Sequence, residues 1–514
     1  MGGVIGPHAG AAAQVRVLVV NAARAVLLSG ATVLAFFTGG YFPEAQAWAG
    51  LAAWALVVVA LLAGSPVGRR PRSCWLAPAG LALFAGWTLL STTWAPIAGS
   101  AYHAGALVML YLGALLAGML LFDTPKARRA VEPALALGTL IVMGYGLAGR
   151  LLPGLLHFSR SVSAEGRLEQ PLTYWNAMGE LAALGFVLCV AIAGDRTRPH
   201  IVRVLAAAAV APLGIGLYLS FSRGALFACA AGLVALIVLA RRREQLWAAL
   251  RALAFGALAA AAVAGFHGVT GLIGALSTKE RHGAIVLVLL VIISLAAGLA
   301  QHLVAQRERP GTLGLPRHAA LMATGVIAAG LALAIVVGAH ETSGAANSLS
   351  GGATRLASLQ SNRYDYWSVA LRAFGTQPLH GVGAGGWSVE WLRWRSINEG
   401  AQDAHSLELQ TLAELGVVGA ALLLAFIAGV GWAARGALRL GAPVAPAIAA
   451  LVACLAHSPL DWDWQMPAVT LVAIVLAGAV LAAAGAPRPE PYSASAIRGA
   501  SRRNTQTAIT HTAP

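Results

Sequence analysis

The sequence predicts an all-α polytopic membrane protein of about 14 (12–14) transmembrane helices with one large loop on the outer side. Three observations carry this. Charged residues make up 11% of the 514, under half of the about 25% typical of a soluble domain, while apolar residues make up 58%. Apolar stretches close to the ~20 residues a helix needs to cross ~30 Å of hydrocarbon recur along the chain. The basic residues fall in small clusters between those stretches. The formal charge of +15 therefore does not mark a nucleic-acid binder, because no single face or segment gathers it.

The stretches lie near 17–38, 47–64, 75–94, 103–122, 131–152, 176–194, 203–220, 224–240, 246–266, 283–303, 319–339, 407–432, 443–458 and 466–485. Two features are ambiguous: the short polar break between 203–220 and 224–240, and the brevity of 443–458. The first stretch reads as a span and not a cleaved signal. Alternate loops hold 24 of the 35 Lys and Arg, and this bias places both termini in the cytoplasm. The organisation expected is helices and short loops over 1–339, a large outer loop over 340–406, three last spans over 407–485 and a polar cytoplasmic tail over 486–514. Cys74, Cys189, Cys229 and Cys454 share no short spacing, so they read as small buried hydrophobes, not as a zinc site or disulfide framework.

Polar chemistry gathers at the outer ends of the spans. Transporters place ionisable groups near the bilayer midplane, and the span middles read as nearly free of charge. That favours an enzyme acting on lipid-borne substrate over a carrier. Arg223, in Leu219-Ser220-Phe221-Ser222-Arg223-Gly224, stands between two apolar segments. It is either a snorkelling side chain or a bidentate phosphate clamp, with Gly224 admitting a phosphate to a helix N-terminus. His405, in Asp403-Ala404-His405-Ser406-Leu407-Glu408, sits where the long loop becomes a span. Asp403 or Ser406 can cap that helix, the dipole's positive end disfavours imidazolium, and Glu408 is placed to orient the ring. Asp461-Trp462-Asp463 imitates a two-carboxylate metal motif, weakly. Glu165, Arg167 and Glu169 read first as a solvated loop and second as sugar contacts.

At these residues the sequence resembles the O-antigen ligase family, with its related O-antigen polymerases and O-linked oligosaccharyltransferases. Ser222-Arg223-Gly224 is similar to the family's Ser-Arg-Gly. Asn362-Arg363-Tyr364-Asp365-Tyr366-Trp367, followed by Pro378-Leu379-His380-Gly381-Val382-Gly383, resembles its large periplasmic loop. His405-Ser406, nine residues, then Gly416-Val417-Val418-Gly419 resembles the ligase pattern. The resemblance extends over roughly 220–430. The span count exceeds the twelve usual in the family, which points to extra helices near 246–303.

What the resemblance implies is an inverting, metal-independent glycosyltransferase of the polyprenyl-phosphate-sugar (GT-C) type in the bacterial inner membrane, active at the periplasmic face. It would move O-antigen polysaccharide from undecaprenyl diphosphate to a lipid A–core sugar hydroxyl, with no cofactor, metal or nucleic acid. His405 would be the general base, and Arg223 and Arg363 would hold the diphosphate. Arg355, Trp367, Arg372 and Glu408 join the expected substrate-binding set. Trp367, Trp387, Trp391 and Trp394 would stack on sugars or anchor the loop at the interface. An O-antigen polymerase, and from another class a polysaccharide or lipid carrier, are the alternatives.

Overall fold

The computed structural model describes residues 7–65, 70–158, 161–308 and 362–486, with Gly314, Pro316 and Gly325. The expected span at 319–339, Arg355 and the polar tail lie outside the described residues. The helices are α1 (Pro7–Ala35), α2 (Pro43–Leu62), α3 (Leu76–Leu90), α4 (Ala98–Leu121), α5 (Pro125–Leu151), α6 (Trp175–Gly194), α7 (His200–Leu219) and α8 (Arg223–Ala240). Then come α9 (Arg243–Ala264), a single turn α10 (His267–Thr270), α11 (Leu276–Gln306), α12 (Arg363–Thr376), α13 (Trp387–Trp394), α14 (Leu407–Arg439), α15 (Ala445–His457) and α16 (Pro467–Ala484). Among the described residues, 12 helices are long and apolar enough to cross a membrane. The protein is a polytopic α-helical membrane protein.

Both ambiguous features resolve. Residues 203–220 and 224–240 become two helices, α7 and α8, because Ser222 leaves helical geometry and its side chain caps the amide of Ala225 at 3.2 Å. The short stretch becomes α15, whose 13 residues rise about 20 Å, too little to cross ~30 Å of hydrocarbon alone. It still returns the chain to the end where α14 began. The stretches at 246–266 and 283–303 become α9 and α11, packed on α7 and on each other.

α6 and α16 are buried along almost their whole length and form the centre, while the outer helices show one apolar face outward. Small residues set the closest approaches, as in membrane bundles generally. A Cβ on Gly214 of α7 would lie 2.7 Å from Gly256 of α9, so only glycine lets those helices meet there.

One end of the bundle carries a cap made of α12, α13 and the following loop. Tyr366, Val369, Ala370, Ala373, Trp387 and Trp391 form a small core of its own. The cap is tied to α14 through a break in that helix. Gly416 adopts φ 65°, ψ −165°, a region open only to glycine, and residues 378–383 run along the gap. Val382 and Gly383 donate to the carbonyls of Ala413 and Glu414 at 3.0 and 2.8 Å, and Val417 donates to Pro378 at 2.9 Å. The Gly-Val-Gly and Gly-x-x-Gly segments are thus two halves of one joint.

Candidate active site

His405 precedes α14, and Ser406 is its cap, accepting from Leu409 N–H at 3.3 Å. His405 itself is left-handed, φ 53°, a conformation that costs a residue with a Cβ of order 1–3 kcal/mol and persists only where neighbours enforce it. They do so here. The ring stacks on Tyr366 with centroids 4.8 Å apart and meets Trp462 edge-on at 6.3 Å. His405 Nδ1 lies 3.0 Å from the Asp403 carbonyl. A carbonyl oxygen only accepts, so Nδ1 carries the proton and Nε2 of the neutral ring is the acceptor. Burial, helped by the Arg363 charge, holds the imidazole below its ordinary value, against an opposing pull from Asp461.

His405 lines a polar cavity of about 380 Å³ between the cap and the helix ends. Arg363, at the first turn of α12, lines it too and donates to Asp461 Oδ2 at 2.7 Å. Burial alone would raise the Asp461 pKa, but Arg363, with His405 and His457, holds it below the usual carboxylate range. The other Asp461 oxygen accepts from the Tyr174 hydroxyl and, at 2.9 Å, from Trp462 N–H. Asp403 is fully enclosed and pushed up to about 6 by burial, against the Gln410 amide at 3.0 Å. Arg167, only 2% exposed, lines the same cavity and lies over the Trp175 ring, 4.4 Å from its centroid. Ser161, Thr173, Asn176, Asn362 and Gln402 add hydroxyls and amides. Hydroxyl and amide groups, aromatic faces, two guanidinium groups, the carboxyl groups of Glu399 and Asp403 and one unprotonated ring nitrogen make a cavity able to hold a sugar beside an anion.

Several sequence expectations change. Arg363, His405 and Trp367 come together, the Trp367 indole reaching the His405 carbonyl at 3.5 Å. Glu408 does not orient the imidazole: its carboxylate accepts from Ser458 at 2.6 Å, and the Asp403 carbonyl fixes the ring instead. Arg372 lies over Trp394, at 4.8 Å, on the exposed side of α12 and outside the cavity lining. Trp387 and Trp391 neither stack on ligand nor anchor at an interface. They are fully buried and stacked on each other at 5.5 Å. The loop with Glu165, Arg167 and Glu169 is not solvated throughout: Glu169 is buried and binds Ser161, and the Arg150 guanidinium donates to three of the surrounding backbone carbonyls.

Arg223 opens α8 at the capped end but does not line the cavity. Gly224, expected to admit a phosphate, has its Cα face against a ring. A Cβ there would sit 2.8 Å from His457 Nε2. Two ionisable groups are buried near the capped ends of their helices. Glu180 of α6 and His457 of α15 are buried at 0% and 1% exposure. The sequence singles out Asp461 only as half of a weak metal motif and Arg167 only in a loop that reads as solvated, and it does not mark Glu180. Asp461-Trp462-Asp463 did carry a signal, two carboxylates in an apolar chain, which need cationic partners.

The fold and cavity define a class: a polytopic membrane protein with a capped polar site at one end of its bundle. Comparison with known families sharpens this, since residues 266–424 match the family model for O-antigen ligase. The segment holds Arg363, His405 and the Gly416 joint. Arg223, Arg167 and Asp461 fall outside it. No curated protein matches the chain.

Proposed function

We propose that the protein is an O-antigen ligase, joining polysaccharide carried on undecaprenyl diphosphate to a hydroxyl of lipid A–core at the periplasmic face of the bacterial inner membrane. The observation that supports this best is the neutral His405 ring, with Nδ1 committed to the Asp403 carbonyl, lining one cavity with Arg363 and Arg167. In this reading both termini are cytoplasmic, in line with the loop bias of Lys and Arg.

The chemistry follows from what each partner lacks. A sugar hydroxyl is a poor nucleophile until its proton is taken, and His405 Nε2 takes it as the oxygen attacks the anomeric carbon. The bond from that carbon to the diphosphate oxygen breaks, and its electron pair leaves with undecaprenyl diphosphate. The departing group is already stable as an anion, so it needs charge stabilisation more than protonation. Arg363 and Arg167, the two guanidinium groups of the cavity lining, provide that. Attack from the face opposite the leaving group inverts the anomeric carbon. Trp367 holds the His405 backbone.

The test is transfer by purified protein from undecaprenyl-diphosphate-linked glycan to lipid A–core, with EDTA present. Glycan on the core, lost in His405→Asn, supports the reading. A ladder of longer lipid-linked glycan with the core untouched would make the protein a polymerase. No product until a divalent metal is restored would overturn the guanidinium roles.

A further inference from the structure

Directly behind the cavity lies a second polar layer that the transfer chemistry above does not use. His457 Nδ1 is hydrogen bonded to Asp463 Oδ2, and Glu180 Oε2 is 4.0 Å from the same nitrogen. All three side chains are at most 9% exposed. Both Glu180 oxygens, His457 Nε2 and Asp463 Oδ1 make no hydrogen bond within the described protein. Two acids and an imidazole enclosed among apolar helices carry a desolvation cost that an apolar trio of the same size would avoid. Such a group earns retention by fixing a geometry.

The geometry it adjoins is specific. Asp461, Trp462 and Asp463 form one short turn between α15 and α16 that divides its side chains between the layers. Asp463 goes down to His457. Asp461 goes up to Arg363 and Tyr174, and Trp462 packs edge-on against His405 and face-tilted against Tyr174 at 4.5 Å. Tyr174 immediately precedes α6, the helix that carries Glu180 six residues on. Gly224 closes the layer from α8, since any larger residue would meet the His457 ring.

We propose that Glu180, His457 and Asp463 are positioning residues for the transfer reaction. They hold the Asp461–Trp462–Asp463 turn from behind, so that Asp461 keeps the Arg363 fork, and Trp462 the His405 ring, in register. The proposal rests on the reading of His405 and Arg363 as base and diphosphate ligand. A shift of ~1 Å in a group that orients reactants costs up to about 100-fold in rate, and none of the three touches substrate.

The experiment uses full-length protein in phospholipid nanodiscs, with two readouts. The first is kcat and KM for glycan transfer from undecaprenyl-diphosphate-linked donor. The second is the rate at which diethyl pyrocarbonate modifies His405, followed by peptide mass spectrometry, which needs no substrate. His457→Phe keeps the ring volume and removes both nitrogens. It should lower kcat about tenfold or more and raise His405 modification about threefold or more. His457→Asn puts an amide donor where Nδ1 stood and should recover both to within about threefold of the parent. Glu180→Gln should shift both in the same direction as His457→Phe, by less, and carries the test alone if His457→Phe does not fold. Parental kcat and parental His405 modification in Glu180→Gln and a folded His457→Phe would overturn the proposal, as would His457→Asn being no better than His457→Phe. If the parent protein transfers no glycan, the functional reading falls while the modification rates still decide the positioning.

Discussion

The two ends of the bundle both gather arginine, and they use it differently. At the end opposite the cap, the guanidinium groups are closed against carboxylates of neighbouring elements. Arg198 meets Glu132 at 2.8 Å, Arg203 meets Glu308 at 2.5 Å and Arg24 meets Asp123 at 2.8 Å. A cavity there is lined by Arg128, Arg129 and Arg198 with Asp123, Glu132 and Asp195, so its charges pair off and staple helix ends together. At the capped end, Arg167 lies on an indole and Arg363 beside a carboxylate that is itself shared with Tyr174. The rest of the cavity is hydroxyl, amide, aromatic ring, one neutral imidazole and two carboxylates, Glu399 and Asp403, that accept from the amides of Asn362 and Gln410. Counting basic residues would pick the end opposite the cap, to whose loops the sequence reading assigns 24 of the 35 Lys and Arg. The company each one keeps separates a fastening from a site.

That contrast can be broken from either side. The largest effect is expected at His405. Replacing it with Asn, which tolerates a left-handed backbone, should cut transfer by about 10²–10⁴ in kcat, the usual worth of a general base. Substantial transfer in the reconstituted assay would remove the ring from the mechanism. Arg363→Lys keeps the charge and loses the fork, and should cost about 10–100-fold in kcat/KM; a parental value would show that Arg363 only fastens the cap. At the other end, Glu132→Gln removes one of the two carboxylates beside Arg198, which keeps Asp195 at 3.4 Å. It should lower thermal stability by a few degrees in a melting scan, less than the roughly 3–5 kcal/mol of leaving a buried charge unpaired, and leave kcat within about twofold. Loss of transfer without loss of stability would mean the ends are coupled. The smallest effect sharpens the assignment: a base must be unprotonated, and burial lowers the His405 pKa. The acid limb of kcat/KM should fall below the ordinary histidine value of about 6.5; a limb above it would point to another group.

Much of this was legible before any coordinates. The spans showed because crossing hydrocarbon demands a long apolar stretch, and α7 and α8 were separable at Ser220-Phe221-Ser222. His405 and Arg363 showed because local motifs mark them. What stayed hidden was tertiary. Arg167 sits in a loop whose two acids suggested solvent, and only its packing on Trp175 buries it. Trp387 and Trp391 looked like ligand platforms, since sequence does not reveal that α12 and α13 wrap them into a core. His457 and Asp463 are six residues apart, but Glu180 lies far back along the chain on α6, so no spacing joins the three. Gly224 was read for the phosphate it would admit, when its Cα faces a ring.

The Arg363–Asp461 contact spans 98 residues, and this has a meaning for biosynthesis. Synthesis at about 5–20 residues per second makes the later partner arrive roughly 5–20 s after the earlier one. In that interval α14 and α15 must enter the bilayer and return the chain to the capped end. The cap waits as well, because Val382 and Gly383 bind carbonyls of residues translated after them. A ribosome that stopped just short of Asp461 would have made the whole of the matched family segment, with its histidine, its arginine and its glycine joint, and would release a protein without a finished site.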